Sequence, residues 1–352
     1  MKSARCTRLG LPVSMRLRRI VRNLGDENVS LSGILSPGYT QRELDRHIHE
    51  LFQEKYQDYL RPFPLTRKGI DHWKMLIRDA LPASHADYEA RLTILDIGSG
   101  GGTSVFPLIE LFPNAEIVAS DLSVNLLREL RDWREEHYQD HHQLWLLQLN
   151  AEDTVFEDGQ LDMVTGAHVL HHLGDLRKSF TEIHRILKPG GVALFWEPFE
   201  SGCQVLSLIM QLLIAKNETV PDARRIPAEV IAGFRQFMSD IHRRKGTSKS
   251  QALLDTIDDK WVFTKAQLEA LVSGTGLELT AVRQVYSPDG LISSMVDNEL
   301  KRRLHSLDLL PPWARDLVGE VEQQFSQEFV SELLFSGVII LTKPQSPRRT
   351  PR

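Results

Sequence analysis

The sequence predicts a doubly wound α/β fold, a mostly parallel sheet covered by helices on both faces. Two observations predict it. Between residues 92 and 197, short β-type runs alternate with amphipathic helical stretches. The first run leads straight into DIGSGGGT, residues 96–103, where Gly98, Gly100, Gly101 and Gly102 fall within five positions. Glycines crowded behind a strand mark a place where backbone must come close to a ligand.

The elements follow in order. Strands are expected at 92–97 (LTILDI), 116–120 (EIVAS), 144–149 (LWLLQL), 161–166 (LDMVTG) and 191–196 (GVALFW), with helices near 103–111, 123–137 and 175–187. LKPGG, 187–191, reads as a helix stop and a turn into the fifth strand, because Pro189 cannot continue a helix. Residues 201–258 then read as helical, with Ile231, Phe234, Phe237, Met238 and Ile241 on one face. The α/β rhythm resumes at 261–279, where Thr264 caps a helix, Gly274 and Gly276 end it, and a strand runs to Val285. A second helical insertion covers 290–333, and GVIILTK, 337–343, is the last strand. Upstream, Leu44, Ile48, Leu51, Phe52 and Tyr56 give helical spacing over 41–60, and a second helix is expected over 69–80. No internal repeat is visible.

At 352 residues the chain exceeds the ~250 residues of a usual single core. We expect one decorated domain over 38–343. It divides into a helical cap (38–90), a core (91–200), an insertion (201–260), a core continuation (261–288), a second insertion (289–333) and a last strand (334–343). Tails are expected at 1–37, basic and disordered, and at 344–352.

The formal charge of −5 hides an asymmetry. Lys2, Arg5, Arg8, Arg16, Arg18, Arg19, Arg22, Lys343, Arg348, Arg349 and Arg352 sit at the two ends, and without these eleven the 42 basic residues fall to 31 against 47 acids. So acidic a body argues against a nucleic-acid partner. The basic N-terminus reads as a tail in preference to a transit-like segment or to sequence upstream of a start at Met15, and it lacks a secretory apolar stretch. Cys6 and Cys203 are not spaced as a metal site or a disulfide framework, which fits a reducing cytoplasm. The longest apolar run, VLSLIMQLLIA at 205–215, falls short of the ~20 residues of a transmembrane span. It reads as core packing in preference to a wall shared with a hydrophobic ligand. The basic stretch IHRRKGTSKS, 241–250, reads as a solvated loop in preference to a site for acidic substrates or headgroups.

The glycine spacing is G-x-G-x-G, short of the G-x-G-x-x-G of dinucleotide sites, and no Gly-Lys-Ser/Thr follows as a P-loop requires. Asp96 stands two residues before the first glycine, where an anion repels a pyrophosphate and suits a ligand carrying an ammonium group. Asp121 ends the second strand, where a carboxylate can accept both hydrogen bonds of a ribose diol. Dinucleotide sites also place an acid there, so this residue points to a ribose and leaves the cofactor open.

LDIGSGGG, ASDLS, NAEDTVF, LDMVTGAHVLHHL and RILKPGG resemble, in order, the successive motifs of class I S-adenosylmethionine-dependent methyltransferases. The resemblance covers residues 92–197 closely and 261–343 more loosely. It implies a strand order of 3-2-1-4-5-7-6 with the last strand antiparallel, and S-adenosylmethionine as cofactor. It further implies that Gly98, Gly100 and Gly102 admit the cofactor, that Asp96 faces its amino-acid end, and that Asp121, with Leu122 beside it, holds the ribose. Asn150, Ala151 and Glu152 would lie along the adenine and His168 beside the methionine. Asn150 departs from the family, which often has Asp there; its amide oxygen can still accept from an adenine amino group.

His168, His171 and His172 offer no full metal-ligand set, and no metal is expected. If strands four and five are neighbours, His171 and His172 lie next to the end of strand five, where Glu197 and Glu200 emerge. That makes His171, His172 and Glu197 the candidate catalytic residues, with a carboxylate-held His as base; the rival reading is a packed core histidine. The expected function is methyl transfer to a small, partly hydrophobic metabolite by in-line displacement, with base assistance where the acceptor must lose a proton. The alternatives are a methyltransferase-like cofactor-binding protein that acts through a partner, and a protein methyltransferase. The acceptor atom and the oligomeric state stay open.

Overall fold

The structure, a computed structural model, describes residues 33–40, 43–44, 52, 55–60, 65–138, 143–304 and 309–345. Most of the helix expected over 41–60 and of both expected tails lies outside the described residues. The chain divides into two compact units: residues 1–195 with 269–281 and 339–352, and residues 196–268 with 282–338.

The sheet has eight strands: β1 (Ile34–Leu35), β2 (Thr93–Ile97), β3 (Glu116–Asp121), β4 (Leu144–Gln148), β5 (Leu161–Ala167), β6 (Leu187–Pro198), β7 (Glu278–Gln284) and β8 (Ser336–Thr342). Their order is β1-β4-β3-β2-β5-β6-β8-β7. Apart from the added β1, this is the order that the family resemblance implies. β2 pairs in parallel with β3 and with β5, so that Asp96 lies beside Ala119 on one side and Thr165 on the other. The last strand is antiparallel. Gly190 N–H donates to Lys343 C=O (2.8 Å) and Lys343 N–H to Gly191 C=O (2.9 Å) near the start of β6, while Phe199 N–H, just past its end, donates to Phe335 C=O (3.0 Å). Ile94, Leu95 and Ile97 of β2 are all buried, as expected of a central strand covered on both faces.

Two features differ from the sequence reading. LKPGG lies inside a strand: β6 begins at Leu187, immediately after the helix Leu176–Ile186, and runs through both glycines. Gly190 pairs with Lys343 at φ +82°, and the Lys343 ammonium caps the helix by donating to the carbonyls of His184 and Leu187, both at 2.8 Å. Secondly, Ile34 and Leu35, inside the expected tail, pair in parallel with Leu146 and Leu147 of β4. Buried Ile34 gives that short segment an apolar reason to occupy the sheet edge.

In the first unit side chains cap the starts of two helices. Ser123 Oγ accepts from Leu126 N–H (3.3 Å) at the start of the helix Val124–His137, and Asp175 Oδ1 accepts from Lys178 N–H (2.9 Å). Gly276, at φ +89°, lies so close to His184 that a Cβ would stand 2.6 Å from its Nε2.

In the second unit the helices Glu200–Asn217, Ala228–Arg244, Leu291–Leu304 and Pro312–Glu322 surround a core that includes Leu206, Met210, Phe234, Phe237, Ile292 and Val318. Where the sequence reads as one domain with two insertions, the insertions pool their apolar faces into a core of their own. VLSLIMQLLIA packs into this core through Leu206, Ile209, Met210 and Leu213, as expected, whereas Leu208 and Leu212 are 57% and 44% exposed. The basic stretch is not simply solvated. Arg244 pairs with Asp259 (3.1 Å), and Lys249 Nζ donates to the Lys245 carbonyl (2.8 Å) and lies 4.4 Å above the Trp261 ring.

Phe234 is 2% exposed within this core. Phe234→Ala should cost about 3–5 kcal/mol, read as a lowered midpoint in urea unfolding followed by tryptophan fluorescence.

Candidate cofactor-binding site

Asp96 is fully buried, and three hydroxyls surround its carboxylate. Thr165 Oγ1 of β5 donates to Oδ1 (2.6 Å), and Ser99 Oγ and Ser104 Oγ both donate to Oδ2 (2.8 Å). Burial pushes its pKa up from the ordinary carboxylate value, and the three donors oppose that shift. Its oxygens thus brace the loop that precedes the helix Val105–Leu111, the loop beside which the sequence places the amino-acid end of the ligand.

The glycines divide by cause. A Cβ on Gly98 (φ +65°) would stand 2.4 Å from Val169 Cγ2, and one on Gly102 (φ +101°) 2.4 Å from Phe106 Cε2, so these two are glycine because protein packs against them. Among the described residues nothing lies within 4 Å of the Cβ position of Gly100 (φ +50°). Of the three it alone keeps open space where a ligand can approach the backbone.

Gly100 also meets Asp121. Its N–H donates to Asp121 Oδ2 (2.9 Å), and Ser123 N–H donates to Oδ1 (2.8 Å). A carboxylate offers about four lone-pair sites, so after these two bonds each oxygen can still accept one hydroxyl, as a vicinal diol requires. Burial pushes the Asp121 carboxyl up to about 6, against the opposing effect of the two N–H donors. The next residue, Leu122, is half-buried, and its carbonyl accepts from Gln148 Nε2 (3.0 Å).

Past β4, Asn150 Oδ1 accepts from Glu152 N–H (2.9 Å), so one lone pair of the amide oxygen expected to meet adenine closes a local turn. Glu152 accepts from the N–H groups of Gly174 (3.1 Å) and Asp175 (3.0 Å), which ties two loops together, and Ala151 between them is buried. His168 is the one described non-glycine residue with positive φ, +56°. The turn it opens touches the glycine loop through Val169 and Gly98, and it continues into Leu170–His172, where His171 is buried and the rings of His171 and His172 lie 4.1 Å apart. Glu197 is fully buried near the end of β6, in the second unit, where its carbonyl accepts from Ser336 Oγ (3.3 Å).

The sequence reading missed Ser99, Ser104 and Thr165, which hold Asp96, and Ser36, Tyr39 and Gln148, which border the other end of the site. Gln148 carried a visible signal as the one polar residue within the apolar run LWLLQL. Ser36 and Tyr39 carried none, because they stand in and beside the expected tail.

The comparisons agree with this geometry. A family described as "Methyltransferase domain" matches residues 95–195. The chain is 26% identical over 162 residues to a demethylmenaquinone methyltransferase of Symbiobacterium thermophilum, covering 45% of this chain and 62% of that relative. The chain thus spans about three fifths of that relative's length. Among solved structures it resembles a Galdieria sulphuraria protein assigned as a sarcosine dimethylglycine methyltransferase, at TM-score 0.50, 16% identity, 83% of this chain and 99% of that one. It also resembles the cyclase SpnF, at TM-score 0.51, 14% identity, 90% of this chain and 100% of that one. Likeness at such identities is likeness of fold. Fold, glycine loop and the match of residues 95–195 to a methyltransferase domain all agree with the resemblance to class I S-adenosylmethionine-dependent methyltransferases. The cofactor of that family is S-adenosylmethionine, and the open Gly100 backbone and the half-used Asp121 carboxylate fit its ribose.

Two predictions separate packing from binding. Gly98→Ala should lower the melting temperature, since overpacking costs about 1–3 kcal/mol and the left-handed backbone adds strain. Gly100→Ala should leave stability within about 1–2 kcal/mol of wild type and weaken S-adenosylhomocysteine binding in calorimetry. The second concerns pH. Because burial raises the Asp121 pKa, the free protein holds a proton there below about pH 6, and the ribose hydroxyls need the ionised form. Affinity should therefore be full at pH 7–8 and fall by up to about tenfold per pH unit below 6. Asp121→Asn should bind more weakly at pH 8 and show no such fall.

Proposed function

We propose that this protein transfers the methyl group of S-adenosylmethionine to a small, partly hydrophobic acceptor of the quinone class. The register of Asp121 against the glycine loop carries the cofactor half of this reading, through the 2.9 Å bond from Gly100 N–H that leaves each carboxylate oxygen one further site. Similarity to a demethylmenaquinone methyltransferase supports the acceptor class. When bound, the cofactor supplies a methyl group already activated by its sulfonium. The protein's task is then to bind, orient and exclude water. Asp121 accepts the ribose hydroxyls, and Asp96 acts indirectly by bracing the loop through Ser99 and Ser104. For an acceptor that must lose a proton, the base is assigned to His171 or His172, on the turn that packs against Gly98 through Val169. Among the described residues no helix is long and apolar enough to cross a membrane. That observation and the lack of a cysteine framework support a cytoplasmic location.

The test is transfer of radiolabelled methyl from S-adenosylmethionine to a panel of demethylated quinones, with calorimetry of S-adenosylhomocysteine in parallel. Label should appear in the organic extract. Label confined to the protein fraction would replace this reading with protein methylation, and binding without transfer would favour a cofactor-binding protein. With an active acceptor that loses a proton, His171→Ala or His172→Ala should lower kcat by roughly a hundred- to ten-thousand-fold with cofactor affinity held. Glu197→Gln is the matching measurement for a carboxylate role, read in the pH profile of kcat.

A further inference from the structure

We propose that residues 36–39 form a strap that sets the ribose and adenine side of the cofactor site, with Ser36 and Tyr39 as positioning residues. The proposal rests on the cofactor reading above. β1 lies parallel to β4 with Leu35 opposite Leu147, which brings Ser36 level with Gln148. Ser36 is 3% exposed, and its hydroxyl donates to Gln148 Oε1 (2.7 Å) while accepting from Gly38 N–H (3.0 Å). With its oxygen held, Gln148 turns its amide nitrogen to the Leu122 carbonyl (3.0 Å). Leu149 N–H takes the preceding carbonyl, that of Asp121 (3.0 Å). Both peptides of the turn that presents the Asp121 carboxylate are thus gripped from the β4 side, and the grip begins at Ser36.

Tyr39 performs the second half. Its phenol oxygen accepts from Asn150 N–H (2.9 Å), at the first residue of the segment that the family resemblance places along the adenine. Asn150 in turn orders that segment by accepting from Glu152 N–H (2.9 Å). Ser36 and Tyr39 therefore reach the two loops that flank the nucleoside, from a stretch more than eighty residues before Asp121. A plain edge strand needs only the backbone pairing of Ile34 and Leu35. The hydroxyls of Ser36 and Tyr39 contribute nothing to that pairing, and both are aimed at the end of β4.

The experiment uses the full chain and the variants Ser36→Ala, Gln148→Met, their double combination, and Tyr39→Phe. S-adenosylhomocysteine dissociation constants are measured by calorimetry, with melting temperatures and steady-state constants beside them. Losing one such hydrogen bond should weaken S-adenosylhomocysteine by about three- to tenfold. The KM for S-adenosylmethionine should rise by the same factor, with kcat and the acceptor KM unchanged. Because Ser36 and Gln148 act in one relay, their double variant should bind no more weakly than Gln148→Met alone. Dissociation constants within twofold of wild type in both Ser36→Ala and Tyr39→Phe would reduce the strap to an edge strand and overturn the proposal. Wild-type protein that fails to bind S-adenosylhomocysteine removes the cofactor reading and the strap together, whereas a binding wild type with unaltered variants removes the strap alone.

Discussion

A carboxylate without solvent must find its hydrogen bonds inside the fold, and Asp96 finds three. Thr165 reaches it from β5, Ser99 from the glycine loop and Ser104 from the residue before the following helix. One buried side chain thereby joins a central strand, its neighbour, the loop and the helix start. Ser99 extends the arrangement to β3: its N–H donates to the Ser120 carbonyl (2.8 Å) and its hydroxyl accepts from Ser120 N–H (3.0 Å). The loop's conformation is thus settled before any ligand arrives, as a preorganised site requires.

On that frame three glycines do different work. Gly98 lets the turn of Val169 press against the loop, and Gly102 gives way to the Phe106 ring. Gly100 is left with open space and an N–H directed at Asp121. A glycine-rich motif therefore serves mainly to let protein pack on itself. The left-handed His168 belongs to the same economy of space, since the turn it opens leads directly into Val169.

The second unit obeys a separate logic. Its helices come from two stretches of sequence, 196–268 and 282–338, and neither stretch buries its apolar residues alone. Phe234 and Phe237 from the first share a core with Ile292, Val296 and Val318 from the second. Such a core is specified by distant partners, so each helix reads locally as an amphipathic insertion with no stated destination.

Legibility in the sequence followed the range of the forces involved. Strands β2 to β5, their helices and the cap at Thr264 could be read directly, because side-chain periodicity and capping act within a few residues. The glycine loop and Asp121 could be read because a ligand constrains neighbouring residues to fixed spacing. Asp96 was found, but its partners were not, since only the fold brings Thr165 beside it across 69 residues. LKPGG had the local signature of a turn and was taken into β6 by its pairing with Lys343, more than 150 residues further on. Ile34 and Leu35 were too few to signal a strand until β4 offered an open edge. The sequence by itself determined the fold class, the strand order through its family motifs, and the chemical type of the cofactor site. Tertiary structure alone decided which partners those residues take, because a buried polar group takes its partners from wherever the chain returns, and no local pattern records that return.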